Sequence, residues 1–288
     1  SGATTVRQGL LQISGSGSLS NSAVNVTGGS ASTLSITNVT TSTEIGSLAG
    51  NANSKVDLGT KTLIVGRDNT STTFAGTFTN TTNAARIIKA GTGELVISNS
   101  GAGSSYAQMQ VGNGKVTLAA GSYSTSTDTG VRALDLGLDA GDLSTANDTA
   151  FYVNGGVTMS NSIYVAGQNS GQGLRTLGTE SSSGVATFNN EVFTHGDLTL
   201  AAANGADLTM SGNFEMNSKY ITVTNAAAST VTLSGNLTPG SRTGQLIVNG
   251  PGTTKLTGAN GGDLKITLTG GTLEVGGIGN LGAPTTTF

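Results

Sequence analysis

The chain has 288 residues, a mass of 28.4 kDa, a net charge of −3 and a pI near 5.1. With 10% charged residues, 4% aromatics, no Trp and no Cys, it excludes a disulfide scaffold, a basic nucleic-acid surface and a thick core built on large rings. The 45 glycines follow no three-residue period and there are three prolines, which excludes collagen and a Pro-rich linker. No apolar run reaches the roughly 20 residues of a membrane-spanning helix. Mean hydropathy is zero, and Val, Ile and Leu recur throughout, unlike a disordered chain of high charge and low hydrophobicity. Uncharged, rich in Ser, Thr and β-branched residues, the sequence favours strands.

Predicted strands follow in chain order. They begin with Leu11-Gln12-Ile13, Leu34-Ser35-Ile36, Thr62-Leu63-Ile64-Val65, Glu94-Leu95-Val96-Ile97 and Lys115-Val116-Thr117-Leu118. Leu134, Leu136 and Leu138 alternate and read as a strand rather than a helix. Asp197-Leu198-Thr199-Leu200, Asp207-Leu208-Thr209-Met210, Ile221-Thr222-Val223 and Val231-Thr232-Leu233 come next. Gln245–Val248, Leu264–Leu268 and Thr272–Val275 complete the series. Most place apolar residues at i and i+2, the period of a strand with one buried face, and Gly, Asn and Ser separate them as turn residues. A sandwich would need large inner faces. The recurring Gly-x-Leu-x-Val/Ile pattern instead predicts a solenoid, in which each coil touches only its neighbours and inward side chains stack in files. The expected architecture is a single all-β domain over residues 1–288, a right-handed parallel β-helix.

Three stretches carry a family resemblance. The first runs from Glu44-Ile45-Gly46-Ser47-Leu48-Ala49-Gly50 through Val56-Asp57-Leu58-Gly59 and Ser71-Thr72-Thr73-Phe74-Ala75-Gly76 to Lys89-Ala90-Gly91-Thr92-Gly93-Glu94-Leu95-Val96-Ile97. The second is Gly250-Pro251-Gly252-Thr253-Thr254-Lys255-Leu256-Thr257-Gly258-Ala259-Asn260 with Gly270-Gly271-Thr272-Leu273-Glu274-Val275. The third joins Thr286-Thr287-Phe288 to Ser1-Gly2-Ala3-Thr4-Thr5-Val6-Arg7-Gln8-Gly9-Leu10-Leu11-Gln12-Ile13. Together they resemble the passenger-associated β-strand repeats of bacterial autotransporters. The resemblance covers the first third and last fifth of the chain and implies a right-handed parallel β-helix exported to a bacterial surface. The C-terminal membrane barrel of that family has no counterpart in this sequence.

One repeat phrase is thus split between the two termini, and neither terminus reads as a cap. Open sheet edges invite pairing with another chain, and a heterologous contact that does not close makes a filament. The expectation is a self-associating extracellular or cell-surface protein. Thr4, Thr5, Val6, Leu10, Leu11 and Ile13 would meet Leu273, Val275, Leu281, Thr286 and Phe288 of the next copy. The alternative is an adhesin stalk or passenger segment that meets a glycan or host surface through loops around residues 135–154 and 168–183.

Little in the sequence reads as chemistry. His195 is the one histidine; without Cys there is no zinc or Cys–His ligand set, and it reads as a surface residue. Asp135, Asp139, Asp142 and Asp148, with Arg132 and Arg175, are the densest charged group. A polysaccharide lyase would need such residues, but their spacing fits no calcium loop. Thr285-Thr286-Thr287 is too short for an ice-binding array, and Tyr106, Tyr123, Tyr152, Tyr164 and Tyr220 are dispersed. The several Asn-x-Ser/Thr sequons are what chance supplies in such a composition. The expectation is a non-enzyme with no cofactor, no metal, no nucleic-acid partner and no membrane span.

Overall fold

A computed structural model describes residues 2–28, 32–81, 84–99, 108–120, 122–123, 134–137, 147–167, 173–240 and 244–282. The protein is all-β, with parallel sheets stacked as a β-solenoid of about ten turns. It divides into two compact units, Ser1–Asp135 and Leu136–Phe288.

Each unit is a three-sided coil. In the first unit one face stacks Thr4–Val6, Val24–Val26, Leu48–Gly50, Thr72–Phe74, Glu94–Ile97 and Gly114–Leu118. The second face stacks Gly9–Gly15, Ser32–Val39, Lys55–Gly59 and Thr77–Asn80, and the third stacks Ser42–Ile45, Thr62–Val65, Arg86–Lys89 and Gln108–Val111. The second unit repeats the plan. Its first face holds Thr149–Val153, Arg175–Thr179, Leu198–Ala202, Tyr220–Val223, Gln245–Val248 and Lys265–Leu268. Its second face holds Thr158–Met159, Val185–Phe188, Asp207–Met210, Thr230–Leu233, Thr253–Leu256 and Thr272–Val275, and its third Ile163–Val165, Val192–Thr194, Phe214–Glu215 and Leu237–Thr238.

Among the described residues the strands pair in parallel, and the register sets the coil length. Leu198 lies beside Ile221, a step of 23 residues; Thr4 beside Val24 is a step of 20 and Thr149 beside Arg175 a step of 26. Period-two patterning turns one side of each strand inward. Leu208, Val231 and Leu256 are fully buried, as are Leu34, Val56 and Phe78 in the first unit. Five of the seven phenylalanines (Phe74, Phe78, Phe151, Phe188, Phe214) lie inside at 0–1% exposure. The interior is narrow, so these few rings fill what longer-range packing would fill elsewhere.

The corners need small residues and side-chain clasps. Between the second and third faces of the second unit, Gly212, Gly235 and Gly258 form a file. A Cβ on Gly235 would lie 1.8 Å from the Gly212 carbonyl oxygen, and one on Gly258 2.1 Å from that of Gly235. Beside them, asparagine side chains hold the neighbouring coil. Asn213 Oδ1 accepts the Asn236 N–H at 3.0 Å, and Asn236 Oδ1 accepts the Ala259 N–H at 2.9 Å. Such bonds satisfy main-chain donors that a turn would otherwise leave unpaired.

Candidate functional site

The sequence-predicted assembly residues fall on the outermost described coil of each unit. Thr4, Thr5 and Val6 form a strand paired to Val24–Val26; Thr5 points outward and Val6 inward at 7% exposure. Leu10, Leu11 and Ile13 lie on Gly9–Gly15, whose parallel partner is Ser32–Val39. Leu10 is 63% exposed and Ile13 is buried. In the other unit Leu273 and Val275 lie on Thr272–Val275, paired to Thr253–Leu256, and Leu281 ends the 3-10 turn Ile278–Leu281. Thr286 and Phe288 lie outside the described residues.

The inward files lose their cover at these coils. Leu233, Leu256 and Val275 stand in one file, in register; the first two are fully buried and Val275 is 38% exposed. Ile278, beyond it, is 89% exposed. At the other edge Leu11 is half-exposed while Leu34 and Val56, next in its file, are at 0%. The two edges also match in backbone. Gly9 opens Gly9-Leu10-Leu11-Gln12-Ile13 at φ +78°, and Gly271 opens Gly271-Thr272-Leu273-Glu274-Val275 at φ +72°, the left-handed region that glycine tolerates. Each occupies the second face of its coil.

Two cations stand inside the apolar files. Lys89, 1% exposed, takes the place of an aliphatic residue between Val65 and Val111. Its Nζ donates to the carbonyls of Ala90 at 2.6 Å, Gly91 at 2.8 Å and Asn113 at 3.3 Å. Burial pushes its pKa down to about 8, against the pull of the Asp68 and Glu94 carboxylates. Arg175, also 1% exposed, lies beside Thr149 and donates from Nη1 to the carbonyls of Asn147 at 2.8 Å, Gly173 at 3.1 Å and Leu174 at 3.3 Å. Burial lowers its pKa too, and the Asp148 charge opposes the shift. Both heads serve main-chain acceptors at a corner, which is structural work.

Of the acidic group, Asp135 and Asp148 are described. Asp135 is buried, and its Oδ2 accepts from Gln108 Nε2 at 2.6 Å and Gln110 Nε2 at 3.0 Å. Asp148 Oδ1 accepts the Leu174 N–H at 2.7 Å. Arg132, Asp139 and Asp142 lie outside the described residues. Among the described residues no three His, Cys, Asp or Glu side chains come close enough to hold a metal ion. Of the two loop regions, 149–153 and 175–179 are strands; 138–146 and 168–172 lie outside the described residues.

His195 is exposed, and its ring centroid is 4.7 Å from that of Tyr164 one coil away, at 34°. Phe193, in register with Tyr164, points outward between the fully buried Val192 and Thr194. This outward ring group escaped the sequence reading, because parity alone does not say which half of Val192-Phe193-Thr194 faces in. The signal available was His195, two residues on and so on the same side as Phe193, whose hydrophilic ring marks that side as the outer one.

No protein-family model matches the chain, and searches of the curated proteins and of the solved structures returned no similar protein. The geometry therefore identifies the chain only as far as its architecture, a parallel β-solenoid.

Proposed function

We propose that the protein is a structural element of a bacterial surface whose copies stack end to end into a filament. The surface location rests on the resemblance of its repeats to autotransporter passengers. The stacking rests on one observation: the inward apolar files run covered through each unit and emerge half-exposed at Leu11 on one edge and Leu273 and Val275 on the other. Another copy is the occupant that fits. In a stacked joint Leu11 continues the file of Leu273 and Ile13 that of Val275, because both strands start from a left-handed glycine and carry apolar residues at the same two offsets. The main-chain edges add a parallel ladder, as in strand addition. The role is mechanical rather than catalytic.

Negative-stain microscopy and sedimentation velocity test this. The purified chain is expected to form unbranched threads. Leu11→Lys combined with Val275→Lys, or deletion of residues 283–288, should leave monomers, against 28.4 kDa for one unaltered chain, with unchanged far-UV circular dichroism. Monomers of the unaltered chain at every concentration, or threads that persist in the double variant, would overturn the proposal.

A further inference from the structure

The third face of the second unit carries a group of rings that the assembly reading does not use. Among the described residues the buried rings are phenylalanines, whereas Tyr164, Phe193 and His195 all face outward on two adjacent strands. Phe193 is the costly one. Its outward-facing ring is only partly buried, without the full burial that five other phenylalanines obtain in this chain, while Val192 and Thr194 take the interior on either side of it. The neighbouring outward positions are acidic. Glu191 lies two residues before Phe193 on the same side of the strand, and Glu215 is its register partner on the next coil. Both carboxylates are on exposed residues. In a chain where 10% of residues are charged, two exposed acids beside one outward-facing, half-buried ring group make a patch of defined sign.

We propose that Tyr164, Phe193 and His195, flanked by Glu191 and Glu215, form a binding surface for a polymer of amino sugars bearing free amines. Sugar rings present C–H faces that stack on aromatic rings, and an ammonium group is attracted both to ring faces and to the two carboxylates. The patch is straight because successive coils lie about 4.8 Å apart, which suits a linear chain laid along the coil axis. Acidic polysaccharides are disfavoured by the same carboxylates. This surface lies on a coil face and not on a coil edge, so it operates whether or not the copies stack.

Retention of the protein in gels containing soluble chitosan, its fully N-acetylated counterpart or polygalacturonate tests the assignment, with polylysine as the fourth probe. The wild type should be retarded by chitosan, less by the acetylated polymer and not by polygalacturonate. Tyr164→Ala with Phe193→Ala should weaken chitosan retention at least tenfold. Glu215→Lys, at an exposed position that leaves packing intact, should weaken it several-fold and serves as the check if the ring variant fails to fold. Repeating the measurement on the Leu11→Lys, Val275→Lys monomer separates binding from assembly. No retardation by chitosan, equal retardation of the wild type and Glu215→Lys, or a stronger response to polylysine than to chitosan would overturn it.

Discussion

The two buried cations allow a direct comparison between the units. Lys89 and Arg175 have the same exposure and the same kind of partners, three main-chain carbonyls at a corner. They differ in what they can do about their charge. A lysine can release its proton when burial makes the charge expensive, and Lys89 is already down to about 8. An arginine keeps its charge in any protein environment, so it must be held by geometry. The surroundings reflect this. Gly137 sits against the guanidinium at φ +88°, and a Cβ there would lie 2.2 Å from Nε. Around Lys89 the relief is electrostatic, from Asp68 and Glu94. The same corner problem, carbonyls turned inward, is met with carboxylate support in both units, Asp148 at Arg175 and Asp68 and Glu94 at Lys89, and at Arg175 with a close-fitting glycine in addition.

Substitutions at the arginine corner should show the largest effects. Arg175→Leu strands the carbonyls of Asn147, Gly173 and Leu174 and should cost about 3–4 kcal/mol of unfolding free energy in a denaturant titration. Gly137→Ala, which forces a β-carbon onto the guanidinium at a positive φ, should cost about 2–3 kcal/mol. Equal stability of wild type and Gly137→Ala would remove the claim that shape holds Arg175.

Lys89→Met should cost less, about 1–2 kcal/mol at pH 7, because the unfavourable burial of charge disappears along with the hydrogen bonds. The sign of the pH dependence sharpens the contrast. Above pH 8 the folded chain has shed a proton that the unfolded chain keeps up to its ordinary value near 10.5. Stability from this group therefore rises across that window as pH increases. The rise should be absent in Lys89→Met, and Arg175→Leu should retain it; thermal melts at pH 7.5, 9 and 10.5 read the difference. The smallest effect is expected outside both corners: Ile278→Thr, at 89% exposure, should shift stability by less than about 0.5 kcal/mol.

These corners also show where the sequence was readable. Strands such as Thr230–Leu233 and Gln245–Val248 announce themselves by alternation, and the solenoid follows because the same grammar returns every coil. Leu134 and Leu136 are strand residues and buried, as their alternation implies. Arg86-Ile87-Ile88-Lys89 gives no such signal. Its pattern does not alternate, and a lysine in an inward file becomes visible only when the register sets it between Val65 and Val111. Arg175 was singled out with the nearby acids by chain proximity, and Asp148 does act on its charge; that its Nη1 also binds three main-chain oxygens needs the coil geometry to be seen. The assembly residues were chosen in the sequence from one repeat phrase divided between the termini; that Leu10 and Val275 there are exposed could be seen only in the structure. The outward side of Phe193 was not legible either, since a single apolar residue between two β-branched ones fits either face.

The coil-by-coil register has a consequence under load. Each coil is bonded only to the coils above and below it, so a tension applied to a coil edge is borne by one ladder at a time rather than shared. Coils should then peel off singly. A step of 23 residues, as between Leu198 and Ile221, releases about 80 Å of extended chain per event. Pulling on the chain would lengthen it in increments set by its coil steps, which include 20, 23 and 26 residues, each dissipating work before the next coil takes the strain. A material built this way yields gradually and keeps its remaining coils intact.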